Sequence, residues 1–297
     1  MSHIVTLPGN FTEAAIYPFV RAVVTPEGMP VAGEVIFDFQ RLSWIDGTGL
    51  TVFCNTLEWL RARSAVFSFI NYTGHKQAIS YLDDCGFFKE YLGEPLSSKA
   101  SPRRTSLPFK RIQPSEGFWW LDNTAAPWLA DVLRVQVGAL VSIKTSAKEI
   151  FNNIADHSAE QIGFVHLQHY PRREEIRLTI SDFGTGIPAT IRRRYGDMSD
   201  SKAIRLAVEE GITTRSTPNN RGAGLRILVD YVSHNKGSVA IYSLGGMLLT
   251  EPNEDGTPAF FSSQGAGTYP GTLVDIILRT ADFVGDPVEE GEDFQWI

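Results

Sequence analysis

Residues 93 to 117 interrupt the chain with Gly93, Pro95, Pro102, Arg103, Arg104, Pro108, Pro114 and Gly117, and no apolar period survives among them. Such a break divides the 297 residues into two stretches, each long enough to bury a core of its own. The sequence therefore predicts two folded units, residues 1–92 and 126–281, joined by a linker at 93–125 and followed by an acidic, solvated tail at 282–297.

The first unit reads as strand, helix, strand, helix. Residues 35–39, VIFDF, suit a buried strand, and residues 48–63 suit a helix with Leu50, Phe53, Cys54, Leu57 and Leu60 on one side. A tight turn at Asp46, Gly47 and Gly49 separates them. The apolar run at 65–70 is a second strand, and a helix over 75–85 closes at Gly86. In the second unit, Leu140, Ile143, Ala147, Ile150, Phe151 and Ile154 recur at helical spacing and predict a helix over 139–158. Strands follow at 162–168, 176–181, 237–243 and 272–278, with helices near 200–210 and 224–234. The expected fold is α/β in the first unit and α+β in the second, a sandwich with helices on one face of a mixed sheet.

A net charge of -7 and a pI near 5.4 give no general attraction toward nucleic acid or anionic lipid, so neither is an expected partner, a local basic patch aside. Cys54 and Cys85 are the only cysteines and lack metal-ligand spacing, so they read as ordinary thiols of a reducing compartment. The start MSHIVTLPGNFTEAA lacks a basic segment followed by an apolar core, and the apolar stretch 126–143 is interrupted by Asp131, Arg134 and Gln136. No membrane span is expected, and a cytoplasmic location is.

Three motifs carry possible chemistry. Glu149, Asn153 and His157 are spaced by four and share one helix face. A carboxylate there can orient or deprotonate a nucleophile, and an amide oxygen suits Mg²⁺; a solvated helix face has the same spacing. Residues 182–188, DFGTGIP, follow a strand, so Asp182, Gly184 and Gly186 stand at a strand exit. Glycine lets backbone approach a flat ring, and a carboxylate can accept from an exocyclic amine such as that of adenine; a β-turn with an Asx contact fits as well. Residues 220–225, NRGAGL, place Gly222, Gly224 and Leu225 where a helix opens, so its free amides can hold phosphate oxygens, although a flexible loop entering a helix needs no ligand.

In this order and spacing, E-x3-N-x3-H, D-x-G-x-G and G-x-G-L resemble the asparagine box and two glycine boxes of GHKL ATPases. The resemblance covers residues 126–281 and includes Gly271-Thr272, similar to the Gly-Thr entering that family's last strand. It implies ATP and Mg²⁺ as cofactors, Asn153 on the metal, Glu149 as candidate base, and Asp182 on adenine with Gly184 and Gly186 beside it. It further implies Gly222, Gly224 and Leu225 at the phosphates, Thr272 near adenine, and His157 as part of the nucleotide-site motif. The segment IKTSAKEIFNNIADHS, residues 143–158, resembles anti-sigma serine kinases more than membrane sensor kinases.

Residues 35–92 resemble a STAS domain, the fold of anti-sigma factor antagonists, through VIFDFQRLSWIDGTGL, FSFINY and DDCGFFKEYL. In those proteins the residue after the loop aspartate is the serine that a partner kinase phosphorylates. Here it is Gly47, which cannot accept a phosphate, with Thr48 beside it. The two resemblances together imply a regulatory protein partner of the STAS or sigma-factor type, regulation of one half by the other, and a homodimer as an option. Trp119, Trp120 and Trp128 near the junction suit either docking or core filling. Two function classes follow: an enzyme, either an ATPase or a Ser/Thr protein kinase, and a nucleotide-gated binding module whose lid is residues 196–221.

Overall fold

The computed structural model describes residues 2–74, 76–157, 163–209 and 224–287. The N-terminal half runs β1 (Ser2–Thr6), β2 (Asn10–Phe11), α1 (Ile16–Val23), β3 (Glu34–Asp38), β4 (Trp44–Ile45), α2 (Gly47–Ala62), β5 (Val66–Ile70), α3 (Gln77–Asp84) and α4 (Phe87–Leu92). Strands β1, β3 and β5 form a parallel three-stranded sheet in the order β1-β3-β5, and β2 pairs with β4. Phe11, Phe19, Phe37, Phe39, Phe53 and Phe87 are buried together under this sheet; Phe53 stacks on Phe87 with 5.2 Å between centroids.

The C-terminal half runs β6 (Ser106–Ile112), α5 (Pro114–Trp120), α6 (Ala126–Leu133), α7 (Val141–His157), β7 (Gly163–Tyr170), β8 (Glu175–Asp182), α8 (Gly186–Tyr195), α9 (Asp200–Ala207), α10 (Gly224–His234), β9 (Ser238–Pro252) and β10 (Pro258–Arg279). Its five strands form one sheet in the order β6-β7-β8-β10-β9, with every neighbouring pair antiparallel. The described residues are thus mixed α/β, with a parallel three-stranded sheet, a parallel two-stranded pair and an antiparallel five-stranded sheet. Alternation sorts the large sheet by face. Val165, Leu167, Ile176, Leu178, Ile180, Val274, Ile276 and Leu278 bury with Ile143, Ile150 and Ile154 of α7 and Leu228, Val229 and Val232 of α10.

The other face is not open to solvent, because α2 lies across it. Phe164, Phe183, Tyr242, Tyr269 and Leu273 of the second half bury in the same cluster as the phenylalanines of the first. Helix α2 therefore packs on two sides, and every residue from Gly47 to Leu60 is buried. The helix read at 48–63 with Leu50, Phe53, Cys54, Leu57 and Leu60 on one side is thus buried on its polar side too, at Thr48 and Asn55.

The linker reading also changes. Only the first part of 93–125 is irregular, and it is tied back to α3: Asp83 accepts from Leu96 N and Ser97 N at 2.9 Å each, and Arg103 reaches Asp84 at 2.8 Å. From Ser106 the chain becomes the edge strand of the large sheet, because Leu107 and Ile112 turn toward the helical core. Trp120 is buried there and Trp128 packs against that core, which is the core-filling role, whereas Trp119 is exposed. The tail docks at its start: Asp286 accepts from Ser142 N at 2.8 Å and from its hydroxyl at 2.7 Å, and Phe283 packs on Tyr231.

Among the described residues no single helix is long and apolar enough to cross a membrane. Residues Glu116–Leu133 and Val137–Ile154 meet the length and composition requirement only as a pair, bent by 108°. Both cysteines are free thiols buried in the first half.

Candidate functional site

The strand exit that carries D-x-G-x-G is held by its neighbours on both sides. Asp182 ends β8, opposite Thr272 of β10 and Gly163 of β7. Gly271 has φ +137°, and a Cβ there would stand 2.2 Å from the Asp182 carbonyl oxygen, so only glycine lets β10 approach this exit. Gly186 opens α8 with φ +76°, close against Ser243 of β9. The Ser243 hydroxyl accepts from Ile187 N at 3.0 Å and donates to Gly271 O at 2.6 Å. One hydroxyl thus ties the glycine loop, β9 and the Gly271-Thr272 step together. Ser243 carried no motif in the sequence, since its role depends on two segments distant along the chain.

The polar face of α7 meets the same region. Glu149 and Asn153 are half-buried, while Ile150, Phe151 and Ile154 are fully buried against the sheet. A Cβ on Gly163 would stand 2.8 Å from Ile154 Cδ1 and 2.8 Å from Ser181 O, so Ile154 of α7 leans on the start of β7, which pairs with the end of β8. A Cβ on Gly224 would lie 2.2 Å from Glu149 Cγ, so the first residue of α10 rests directly on the Glu149 stem. Leu225 follows it and packs on the helical core.

Glu149, Asn153, Asp182, Gly184, Gly186, Gly224, Leu225 and Thr272 are therefore carried by segments that meet around the exit of β8 and the start of α10. Gly222 and the side chain of His157 lie outside the described residues, as does 210–221 of the expected lid. The described part of that lid is anchored: α9 is held by Asp200, which pairs with Arg192 and accepts from Gly245 N at 2.9 Å.

A metal can be tested against these residues by donor type. Among the described residues no three His, Cys, Asp or Glu side chains come together to hold an ion. An ion carried by a nucleotide fits this setting, since such an ion needs one or two protein oxygens and takes the rest from phosphate and water. The amide of Asn153 is an oxygen donor of that kind.

On the α2 side of the sheet, sequence reasoning missed a buried polar cluster. Arg177 stands 2.9 Å from Asp46, 3.1 Å from Glu13 and 3.7 Å from Asp275. Thr48 donates to Asp275 at 3.1 Å, Thr179 donates to Asp275 at 2.9 Å, and Asn55 donates to Ser181 at 2.9 Å. Burial pushes Asp46 up to about 7, although Arg177 and the Gly49 N–H oppose the shift. Burial likewise raises Asp275, again against Arg177. One buried cation serving two buried carboxylates is a cluster that retains a proton more readily than isolated acids do. Nearby, burial lowers His166 to about 3, so its ring is neutral.

Phe183 joins the two faces. It sits in sequence between Asp182 and Gly184, and its ring meets Trp59 of α2 edge-on at 5.9 Å and Tyr269 of β10 at 5.1 Å.

No protein-family model matches the chain, and no curated protein does. Among solved structures, the chain is similar to the ATPase region of Saccharomyces cerevisiae topoisomerase II, at 9% identity and a TM-score of 0.28 over 52% of this chain and 38% of that one. The same region bound to ICRF-187 (dexrazoxane) aligns at 11% identity with the same TM-score and coverage. The chain thus spans well under half the length of those structures, and a likeness this slight bears no weight on function.

Proposed function

We propose that the C-terminal half binds ATP with Mg²⁺ at the exit of β8, as a signalling ATPase or Ser/Thr protein kinase of the anti-sigma type. The observation that supports this reading is the meeting of separated motifs: Glu149 lies against Gly224, Ile154 next to Asn153 lies against Gly163 opposite Asp182, and Asp182 stands across from Thr272. In this reading the Asp182 carboxylate accepts from the adenine amine, and Gly184 and Gly186 leave room for the ring. Amides at the start of α10 hold phosphate oxygens. Bound with the nucleotide, Mg²⁺ supplies charge neutralisation at the phosphates. Asn153 offers it an amide oxygen, and Glu149, half-buried on the neighbouring turn, orients or deprotonates the attacking hydroxyl.

The competing reading is a nucleotide-gated switch without turnover. One contact favours it: Phe183, inside the nucleotide loop, stacks edge-on against Trp59 of the N-terminal half. Nucleotide that moves this loop acts on α2 directly, in keeping with regulation between the halves. The STAS-like corner at Asp46 to Thr48 is not a substrate for the chain's own site in this arrangement, because Gly47, Thr48 and Asp46 are all buried between the halves.

Calorimetry and turnover assays on point variants separate these readings. Asp182→Ala should abolish measurable ATP binding with the fold retained by circular dichroism, since a buried acceptor is removed. Glu149→Gln should bind ATP nearly as wild type does yet lose about a hundredfold or more in rate. Unchanged affinity in Asp182→Ala removes the nucleotide assignment. Normal turnover in Glu149→Gln, or no turnover in wild type, leaves the switch as the better account.

A further inference from the structure

Helix α7 has a neighbour on each flank. Gly224 of α10 rests on Glu149, and a Cβ on Gly117 of α5 would stand 3.0 Å from the Phe151 ring. Two residues along a helix turn its face by about 200°, so α10 and α5 lie on opposite sides of α7. On the α5 side, Lys144 and Lys148 both pair with Asp122, at 2.8 and 2.7 Å. Lys148 also stands over the Phe118 ring, 5.8 Å from its centroid. Large apolar side chains are exposed to either side of this pairing. Phe118 and Trp119 belong to α5, with Trp119 67% exposed, while Val137 and Val141 stand around the start of α7, with Val141 55% exposed. Clustered exposed apolar side chains rimmed by polar ones mark an interaction surface. Two lysines on one carboxylate leave it a positive charge in excess.

The described part of the tail leads onto this surface. Phe283 packs on Tyr231 of α10, and three residues on, Asp286 accepts from the Ser142 backbone and hydroxyl on α7. The backbone is fastened at the same place: Asp286 N donates to Ala139 O at 2.8 Å, and a Cβ on Gly285 would stand 2.9 Å from Ala139 Cβ. The chain therefore crosses the start of α7 from the α10 flank toward the α5 flank. Residues 288–297, VEEGEDFQWI, come next and lie outside the described residues. Ten residues reach up to about 33 Å, whereas Lys148 is only about 9 Å along α7 from Ser142. Their order matches the order of the surface. Beyond Ser142 the surface offers Val141, then Lys144 and Lys148, then Phe118 and Trp119. The segment offers Val288, then Glu289, Glu290, Glu292 and Asp293, then Phe294, Trp296 and Ile297.

We propose that residues 288–297 dock in cis on the α5 flank of α7, with the four acids against Lys144 and Lys148 and the aromatic residues on Phe118 and Trp119. A second copy of the chain would also cover the apolar side chains, but it would leave the crossing of α7 at Asp286 without a consequence. Attachment at Asp286 further gives the segment an effective concentration in roughly the millimolar range, which a separate molecule lacks at ordinary protein concentrations. A partner that takes this surface must first displace the segment. The docking needs no nucleotide.

The test records the indole N–H resonances of ¹⁵N-labelled full-length protein, with those of Trp119 and Trp296 identified by their loss in Trp119→Phe and Trp296→Phe. A synthetic peptide of residues 288–297 gives the undocked position of Trp296. In the full chain the Trp296 resonance should lie away from that position and return to it in Trp119→Ala. Neutralising the acids together, by Glu289→Gln, Glu290→Gln, Glu292→Gln and Asp293→Asn, should return it as well. The same neutralised chain should shift the Trp119 resonance in the direction that Trp296→Ala shifts it. Trp119 is exposed, so its truncation leaves the core intact, and the changes within 288–297 leave α5 and α7 untouched. A Trp296 resonance at the peptide position in the wild type, or one that Trp119→Ala leaves in place, overturns the docking. Resonances that move with protein concentration, together with a dimer mass in sedimentation, overturn it in favour of a contact between copies.

Discussion

A Cβ on Gly47 would stand 2.5 Å from Nδ1 of His166, a nitrogen that is itself buried without a hydrogen-bond partner. A serine at this position would bring two opposed effects. Its hydroxyl could satisfy the unmatched nitrogen, worth about 1 kcal/mol, but its Cβ must first displace the ring. The ring is confined by Tyr81, whose hydroxyl lies 3.4 Å from Nε2, and by Cys85 at 3.8 Å, so the overlap dominates. Gly47→Ser is expected to destabilise the protein by about 1–3 kcal/mol in urea unfolding. A neutral or stabilised variant would mean that this corner has room for the serine that STAS-like antagonists carry. Glycine is the residue that fits here, because His166 of the second half is packed on the position.

At the scale of elements, α2 and the strands beneath it explain what the sequence disclosed and what it hid. Helices α7 and α10 were legible because their apolar periods face a single core, and the motifs at Asp182, Gly271 and Gly224 were legible because each is set by local spacing. Arg177, Thr179 and Ser181 alternate along β8 as a solvent face would, yet they meet Asp46, Thr48 and Asn55 of the other half. A polar strand face covered by a polar helix face has the same alternation as one covered by water, so the cover leaves no mark in the sequence. Strand β6 was hidden for a related reason, since Pro108 and a register shift between Leu107 and Lys110 break its alternation. The buried acid cluster has a pH signature with a sign that can be worked out. Asp46, raised in the fold from an ordinary 3.8 to about 7, contributes stability that is full below about pH 4 and is lost as pH rises toward 7. His166, lowered from 6.5 to about 3, contributes stability present above pH 6.5 and lost as pH falls toward 3. The two oppose each other between about pH 4 and 6.5. Asp46→Asn removes the first, so its unfolding free energy should rise with pH across that window more steeply than the wild type's. Equal slopes would show that Arg177 and the Gly49 N–H keep Asp46 ionised in the fold.

For the whole molecule, the question is whether the two stretches read from the sequence are two bodies or one. Five large side chains of the C-terminal half, Phe164, Phe183, Tyr242, Tyr269 and Leu273, bury only in company with the N-terminal half. At roughly 1.5–3 kcal/mol for each, their burial contributes about 8–15 kcal/mol, as much as the entire net stability of an ordinary domain. Uncovering them would also strand Arg177 and Asp275, now 3.7 Å apart, beneath no partner helix. The tyrosine of α1 adds a further tie, since Tyr17 donates to Gly246 O at 2.8 Å. A chain lacking residues 1–92 is therefore expected to aggregate or to lose its near-ultraviolet circular dichroism while keeping helical signal, rather than to fold as a free domain. Full-length protein should unfold in urea in one transition, with the near-ultraviolet and far-ultraviolet signals coinciding. Two separated transitions, or a truncated chain that melts cooperatively, would establish the halves as independent and make the covering of the sheet by α2 a reversible contact.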